Sequence, residues 1–404
     1  MTASGAGAES SVGARATASA ARPATGRTAA RSIGPGGTIG ILGGGQLARM
    51  MAAEARRMGY RIGILDPNPE APSAAFASRC FTGAFDDEDA ALALAEYSDV
   101  LTLDTEHIPA ALLAKLEEVT PVRPSSKVLG IVQDRSSQRR FLADLGVPQV
   151  PNAPVDDAAS LRAAAELTGV PAVLKTRTSG YDGKGQARVN AKDELEAAWR
   201  SIGETPAVME SFIEYEREVS VLFARDLAGN LSFYPVPEND HRNHILHTSR
   251  VPARINAAQR AQAEDIGATI AEALDYVGVM AVELFVTADG LLVNEIAPRT
   301  HNSGHYTLGA CATSQFEQHV RAICGLPLGD PGLLRPAVML NVLGDSWRNG
   351  TPNWSAVDAH PTAKLHLYDK AEPSKGRKMG HVLVLGGEGV DPVAVADELA
   401  DELG

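Results

Sequence analysis

A lysine at the end of an apolar run, followed by a glycine-rich loop, is the first feature that could bind phosphate. Residues Ala172 to Lys175 read as a strand, and glycines at 180, 183 and 185 follow it together with Lys184. Glycine lets successive backbone N–H groups turn toward one anion, and the two lysines add positive charge. The spacing differs from that of the P-loop. The segment from Gly180 to Gln186 therefore predicts a different phosphate clamp, with a flexible polar hairpin as the alternative.

Two carboxylates on neighbouring strands form a second candidate. Glu283 and Glu295 each stand among apolar residues, and a turn at Asp289-Gly290 makes their strands a hairpin. Such carboxylates are costly to bury unless they are paired or bind a metal. Together with Asn294 they offer the oxygen ligands suited to magnesium that bridges ATP phosphates. The alternative is that both carboxylates face solvent from the outer side of the hairpin.

A third pattern lies near the start of the chain. The turn from Gly43 to Ala48 fits G-x-G-x-x-A, and Asp66 follows at the distance of a ribose-binding acid. These residues alone favour a nicotinamide oxidoreductase. A tight turn without nucleotide, or a helix N-terminus that binds the phosphate of another ligand, fits the same residues.

The elements around these groups fall into three successive blocks. Residues 36–130 begin with a strand at 38–42, a helix at 46–58 and a strand at 60–65, which predicts a parallel sheet in an α/β domain. Residues 131–325 mix helices and strands as an α+β block. Prolines at 327, 331 and 336 precede a small β-rich domain at 326–404. Residues 1–35 contain almost no large apolar side chains, so we expect them to be disordered.

Composition restricts the functional classes. The chain has 404 residues, of which 44% are hydrophobic and 22% charged, and its formal net charge is −13. This balance is typical of a multidomain globular protein, and it disfavours general binding to nucleic acid or to a membrane surface. The three cysteines form no C-x-x-C pair, which fits a reduced, cytoplasmic protein. Any bound phosphate must meet a local basic cluster.

Four strings of residues carry a resemblance that runs from about Gly37 to the C-terminus. The chain is similar to the ATP-grasp ligases and, within them, to the N5-carboxyaminoimidazole ribonucleotide synthase family of purine biosynthesis. The strings are Gly40 to Met50, Ser179 to Gln186, Asn294 to His305, and Tyr368 to Lys370 with Gly376 to His381. The resemblance implies an α/β and α+β multidomain protein: an ATP-grasp fold with an N-terminal Rossmann-like domain and a small C-terminal β-rich domain.

The family's reaction joins bicarbonate to 5-aminoimidazole ribonucleotide at the expense of ATP, by way of carboxyphosphate. The resemblance accordingly implies ATP and Mg²⁺ as cofactors, and a homodimer. Glu283 and Glu295 would hold the metal. The implied contacts to ATP are Arg135, Lys175, Gly180, Tyr181, Asp182, Gly183, Lys184, Gly185, Gln186, Glu210, Ser211, Phe212, Ile213, Glu218, His241, Asn294 and Glu295.

Other residues are implied for the second substrate and for the chemistry. The catalytic group would be Tyr181, Asp182, Arg299 and His301, and Asp182 is the candidate for handling the amine proton. The ribonucleotide would contact Gln46, Glu106, Lys370 and Arg377. The family usually has an aromatic residue and Glu where this chain has Leu103-Asp104, so Glu106 is favoured over Asp104.

Two alternative functions stay open at this level. One is another ATP-grasp ligase of purine synthesis, such as a glycinamide ribonucleotide ligase or a formate-dependent transformylase. The other is the nicotinamide oxidoreductase, which leaves the carboxylate pair and the glycine-rich loop unexplained.

Overall fold

The protein, as a computed structural model, is described over residues 32–178, 180 and 184–404. Most of the segment expected to be disordered, residues 1–35, lies outside these ranges. Its end does not match the expectation, because the Ile33 N–H donates to Cys324 O at 2.8 Å and the Tyr60 hydroxyl donates to Ile33 O at 2.7 Å. Ordered contacts therefore begin before the predicted start at Thr38.

The N-terminal block forms a parallel sheet, as predicted. Its strands run in the order β3-β2-β1-β4, so the chain changes direction across the sheet between β1 and β4. The elements are β1 (Thr38–Leu42), α1 (Gln46–Arg57), β2 (Arg61–Asp66), β3 (Arg79–Thr82), α2 (Glu88–Tyr97), β4 (Val100–Leu103), α3 (Ala110–Leu116) and α4 (Ser126–Val132). Ligands of open parallel sheets bind outside the carboxyl ends of the strands at such a switch point.

A small antiparallel sheet follows and carries the predicted phosphate clamp. Its order in the described residues is β5-β8-β6-β7. The elements are α5 (Arg135–Asp144), β5 (Asn152–Val155), α6 (Ala158–Thr168), β6 (Ala172–Thr176), β7 (Gln186–Val189), α7 (Leu195–Ser201) and β8 (Ala207–Ser211). Apolar residues of α6 and α7 cover one face of this sheet. The clamp is the connection between β6 and β7.

The next strands begin a much larger sheet. The predicted hairpin is confirmed as β13 and β14, with Glu283 paired to Glu295. The elements are β9 (Arg217–Arg225), β10 (Leu231–Phe233), β11 (Glu238–Arg242), β12 (Ile245–Val251), α8 (Ala257–Ala273), β13 (Gly278–Thr287), β14 (Gly290–Ala297), α9 (Thr307–Ala310) and α10 (Gln315–Ile323). Helix α8 packs on β9 and β13 through a continuous apolar core.

The C-terminal strands continue that large sheet. Strand β12 pairs with β15, so the order across the described strands is β14-β13-β9-β11-β12-β15-β17-β16, with β10 beside β9. The remaining elements are β15 (Ala337–Leu343), α11 (Trp354–Asp358), β16 (Ala363–Leu367), β17 (Lys378–Leu385) and α12 (Pro392–Leu403). The predicted C-terminal β-rich region is present, and it is joined to the preceding block by backbone hydrogen bonds. The predicted domain boundaries stay predictions.

The core beneath β9 gives a test of the packing. Phe223 is fully buried there and its ring lies 5.4 Å from that of Phe233. We expect Phe223→Ala to lower the free energy of unfolding by about 3–5 kcal/mol, because it removes buried apolar surface and leaves a cavity. Denaturant unfolding measures the change. The control is Leu167→Ala, whose side chain is 78% exposed; we expect it to change stability by less than about 0.5 kcal/mol. Equal losses in both variants would contradict this packing.

Candidate active site

One cavity of about 1120 Å³ opens where the three sheets meet. Its walls are built by the ends of β1 and β4, by the small sheet, and by the hairpin of the large sheet. The predicted site residues among its lining are Gln46, Glu106, Arg135, Lys175, Gly180, Lys184, Gly185, Gln186, Glu210, Ser211, Phe212, Ile213, Glu218, His241, Glu283, Asn294, Glu295, Arg299, His301 and Lys370. Three further predicted residues, Tyr181, Asp182 and Gly183, lie outside the described residues.

Arg377 is the one described member of the predicted set that does not line this cavity. Its side chain is exposed and its guanidinium donates to Glu372 O at 2.7 Å, within its own loop. Lys378 lines the cavity in its place. Lys370 donates to Gln46 Oε1 at 2.6 Å and to Lys378 O at 2.7 Å. The basic cluster expected from Lys370 and Arg377 is therefore formed by Lys370 and Lys378.

A buried carboxylate with several cations lies at the floor of the cavity. Glu210 is 3% exposed, and its Oε2 lies 2.7 Å from Lys175 Nζ. Its Oε1 accepts from Arg139 Nε at 2.9 Å and Nη2 at 2.5 Å, and it lies 3.5 Å from Arg135 Nη1. Burial opposes ionisation, but the three cations hold the pKa of Glu210 well below its usual range. The Glu210 side chain is occupied by these ion pairs, and its predicted contact to ATP stays a prediction.

The predicted carboxylate pair lies next to a β-bulge. Glu283 pairs with Glu295 and Leu284 with Val293, so Asn294 is an extra residue in β14. In a regular strand Asn294 and Glu295 would face opposite sides, whereas here both line the cavity. Burial and the neighbouring Glu295 carboxylate raise the pKa of Glu283 to about 7. The hypothesis that both carboxylates point away to solvent is not what the structure shows.

A second ion pair flanks the carboxylates. His241 Nδ1 lies 2.8 Å from Glu218 Oε2, and the Tyr215 hydroxyl donates to Glu218 Oε1 at 2.6 Å. The Tyr215 ring stacks on Phe285 with centroids 4.6 Å apart. Burial works against protonation of His241, but the Glu218 carboxylate raises its pKa above the usual 6.5. Together these groups give the cavity a polar edge beside an aromatic wall.

The residues predicted to contact the ribonucleotide and the reacting carboxyl group connect the N-terminal sheet to the hairpin. Arg299 Nη2 lies 2.6 Å from Glu106 Oε1, which bridges the end of β4 and the segment after β14. His301 Nε2 lies 3.5 Å from Glu283 Oε1. Burial, followed by the Arg299 charge, lowers the pKa of His301 well below its usual value. The neutral form of the His301 imidazole is therefore favoured in this cavity.

The N-terminal glycine turn is closed by two acids. Asp66 accepts from Gly44 N at 2.7 Å. Asp104 accepts from Gly45 N at 3.0 Å and from Ala48 N at 2.6 Å at the start of α1. The carboxylate expected to bind a nucleotide ribose is thus used to hold the turn. The structure therefore does not favour the dinucleotide-binding interpretation of Gly43 to Ala48, and it gives Asp66 and Asp104 a structural role in this turn.

Sequence reasoning missed Arg139, Lys378 and Tyr215. Arg139 follows Arg135 by four residues, which places both on one helical face and could have signalled their shared carboxylate. Lys378 directly follows a residue that was predicted. Tyr215 stands within the Glu210 to Glu218 segment, but nothing in its spacing indicated a stacked ring.

Three family models together match most of the chain. The ATP-grasp domain matches residues 140–316, the ribonucleotide synthetase preATP-grasp domain matches residues 37–133, and the phosphoribosylaminoimidazole carboxylase C-terminal domain matches residues 337–390. With the fold and the cavity described above, these matches define an ATP-grasp ligase. The predicted fold class is confirmed.

Two relatives with assigned functions identify the family within this class of ligases. The N5-carboxyaminoimidazole ribonucleotide synthase of Brucella melitensis is 46% identical over 354 residues, which cover 87% of this chain and 97% of that protein. The synthase of Bacillus subtilis is 42% identical over 87% of this chain and 92% of that protein. The chain therefore belongs to the N5-carboxyaminoimidazole ribonucleotide synthase family, as the four strings predicted.

Solved structures agree in fold. The Staphylococcus aureus synthetase complexed with ADP matches with a TM-score of 0.87 at 36% identity, over 93% of this chain and 99% of that chain. The Aspergillus clavatus enzyme in complex with ADP and 5-aminoimidazole ribonucleotide matches with a TM-score of 0.83 at 29% identity, over 91% of this chain and 98% of that chain.

The His241–Glu218 pair predicts a titration. We expect the His241 imidazole to titrate above pH 6.5 in the wild-type protein. Glu218→Gln should lower this pKa, because the Glu218 carboxylate is the main group that opposes the effect of burial. Since the folded pKa is the raised one, the pair stabilises the fold below pH 6.5 and this contribution is lost as pH rises through the folded value. NMR of the imidazole, assigned with His241→Gln, measures the pKa. Glu214→Gln is the exposed control, and a pKa unchanged by Glu218→Gln would contradict the pairing.

Proposed function

We propose that this chain catalyses ATP-dependent carboxylation of 5-aminoimidazole ribonucleotide with bicarbonate, in purine biosynthesis. The products are N5-carboxyaminoimidazole ribonucleotide, ADP and phosphate. The observation that carries the proposal is that one cavity is lined both by predicted ATP residues, among them Lys175, and by the predicted acceptor residues Gln46, Glu106 and Lys370. Family membership and the ligands of the relatives, ADP and 5-aminoimidazole ribonucleotide, support it.

The ATP side of the cavity offers cations to the phosphates. Lys175 and Lys184 line it at the two ends of the glycine-rich connection. Arg135 also lines it and lies near Lys175, since both contact the Glu210 carboxylate. Gly185 has a φ of 70°, and a Cβ there would come within 2.6 Å of Thr176 Oγ1. Glycine is therefore needed for this turn, which lets the backbone approach a bound phosphate. We assign the adenine edge to the backbone of Ser211 to Ile213, and the ribose to Glu218 and His241.

The donor set at the hairpin suits Mg²⁺. Glu283 and Glu295 supply carboxylates, and the buried Asn294 Oδ1 has no hydrogen-bond partner in the described structure. The described residues form no cluster of three or more His, Cys, Asp or Glu placed to hold a metal. Magnesium needs no such cage, since it is commonly bound by one or two carboxylates plus substrate phosphates. When bound here, it would neutralise charge on the ATP phosphates and relieve the repulsion between the two carboxylates.

The chemistry requires an activated bicarbonate beside an amine. Bicarbonate is a poor electrophile, and attack of its oxygen on the γ-phosphorus of ATP would give carboxyphosphate and ADP. Arg299 is placed to balance the negative charge of this intermediate, and His301 lies beside Glu283, where it would face the reacting carboxyl group. The exocyclic amine then attacks the carboxyl carbon, or carbon dioxide released from carboxyphosphate, and phosphate leaves. We assign the amine proton to Asp182, on the loop between β6 and β7.

The acceptor's phosphate has its own site in this proposal. Gln46 and Lys370 are joined by a hydrogen bond across the cavity wall, and Lys378 lies beside them. The glycine-rich loop, with Tyr181 and Asp182, would cover both substrates and shield carboxyphosphate from water. A homodimer and a cytoplasmic location complete the proposal. Among the described residues, no helix has the length and apolar character needed to cross a membrane.

An acceptor assay tests the reaction. We expect ADP release to require ATP, Mg²⁺, bicarbonate and 5-aminoimidazole ribonucleotide together. Coupled detection of ADP measures the rate, with glycinamide ribonucleotide, plus or minus formate, as the competing acceptor. The alternative ATP-grasp ligases predict turnover with glycinamide ribonucleotide instead, and that result would overturn the proposed substrate.

The metal assignment has a separate test. Glu295→Gln removes one carboxylate at nearly constant shape, and we expect kcat to fall by about 100-fold or more while the fold persists. The matched control is Asp289→Asn, an exposed acid at the turn of the same hairpin, which should keep wild-type turnover. The ADP-release rate and a thermal melt measure the two effects. Near-normal turnover of Glu295→Gln would remove this residue from the metal site.

A further inference from the structure

Arg139 makes an unusual set of contacts for a residue outside the cavity. It is 2% exposed and lies on α5. One edge of its guanidinium binds Glu210 Oε1 through Nε and Nη2, at 2.9 and 2.5 Å. On the backbone of β14, Nη2 donates to Asn294 O at 2.7 Å and Nη1 to Val293 O at 3.1 Å. Nη1 also lies 3.5 Å from Gln149 Oε1. One planar group thus joins two sheets.

The backbone that Arg139 contacts is the β-bulge of the hairpin. Asn294 is the extra residue there, and the carbonyls of Val293 and Asn294 bracket it. A bulge interrupts the regular hydrogen-bond ladder, so its carbonyl groups need other donors. The bulge is also what turns both Asn294 and Glu295 toward the cavity. Arg139 donates to both carbonyls and so supports this local geometry.

The other end of Arg139 fixes the phosphate-binding lysine. Glu210 and Lys175 lie on adjacent strands of the small sheet, where Lys175 pairs with Val208 and Glu210 with Val173. Lys175 Nζ lies 2.7 Å from Glu210 Oε2, while Arg139 holds Oε1 of the same carboxylate. The position of the Glu210 carboxylate, and with it that of the lysine ammonium, depends on Arg139.

We propose that Arg139 is a positioning residue that sets the distance between the lysine of the small sheet and the carboxylate hairpin of the large sheet. Arg139 is not among the residues that line the cavity. Its planar guanidinium binds Glu210 on one side and the bulge at Asn294 on the other. Lys175 and Glu295 are therefore held at fixed positions relative to each other, from which both would contact one triphosphate. This inference rests on the proposed binding of ATP with Mg²⁺ in the cavity.

Two simpler roles make different predictions. If Arg139 only neutralises the buried Glu210, any cation at this depth should replace it. If Arg139 only stabilises the fold, its loss should lower the melting temperature without changing how nucleotide affinity depends on Mg²⁺. Lysine separates these cases, because it keeps the charge but its single ammonium lacks the planar fork that spans the carboxylate and both carbonyls.

The test compares Arg139→Lys and Arg139→Met with wild type, using calorimetric ADP binding across a Mg²⁺ series. We expect Arg139→Lys to stay folded and to bind ADP about 10- to 100-fold more weakly, as for other residues that orient metal ligands. The half-saturating Mg²⁺ concentration should rise as well, and Arg139→Met should show a larger loss. The KM for 5-aminoimidazole ribonucleotide should stay within about twofold of wild type, since acceptor contacts are unchanged.

Arg140→Met is the matched control, because Arg140 is the exposed neighbour on the same helix. It should keep wild-type ADP binding. Wild-type ADP affinity and Mg²⁺ dependence in a folded Arg139→Lys would overturn the proposal, as would an affinity loss that is the same with and without Mg²⁺. ADP binding needs no acceptor, so these results stand apart from the acceptor assay, whose failure would instead remove the proposed reaction.

Discussion

The buried Glu210 carboxylate is the group on which the rest of the site depends. An isolated carboxylate at 3% exposure would be strongly unfavourable, and Lys175, Arg139 and Arg135 make this one stable as an anion. The cations come from two elements: Lys175 from the small sheet, and the two arginines from α5. The ion cluster therefore does more than compensate a charge, since it fixes the small sheet against the helix that leads into it and against the hairpin behind it.

The cavity also depends on irregularities at the ends and edges of regular elements. At the N-terminal sheet, the chain turns after β1 and β4, and Asp66 and Asp104 hold the glycine turn that brings Gln46 to the cavity wall. At the hairpin, one extra residue aims two consecutive side chains in the same direction. In both places, hydrogen bonds between backbone groups and side chains take the place of the strand-to-strand hydrogen bonds of a regular sheet. The regular strands supply a rigid frame, and the local departures from it aim the chemical groups.

The local features of the site could be predicted from the sequence. The hairpin with Glu283 and Glu295, the lysine before the glycine-rich loop and the βα turn all follow from short patterns, and a family resemblance added the acceptor residues. The predictions that the structure does not support depended on the direction in which a side chain points. Asp66 has the spacing of a ribose ligand, but its carboxylate turns back onto Gly44. Arg377 and Lys378 are adjacent, and only the start of β17 determines which one lines the cavity. A bulge at Asn294 and a buried guanidinium that caps it leave no periodic signal, because they depend on contacts between distant segments.

The continuity of the large sheet has a consequence for modularity. Strands from residues 217–251 and from residues 337–385 are neighbours in one hydrogen-bonded ladder, and β12 to β15 is the joint. The C-terminal strands are therefore part of the large sheet and do not form a separable domain. Truncation of the chain near residue 330 would leave the backbone hydrogen-bonding groups along β12 without their partner strand. It would also remove Met339 and Leu383 from the hydrophobic core that they share with the preceding residues. A chimaera that takes its C-terminal strands from a relative would have to preserve the hydrogen-bonded pairing of β12 with β15.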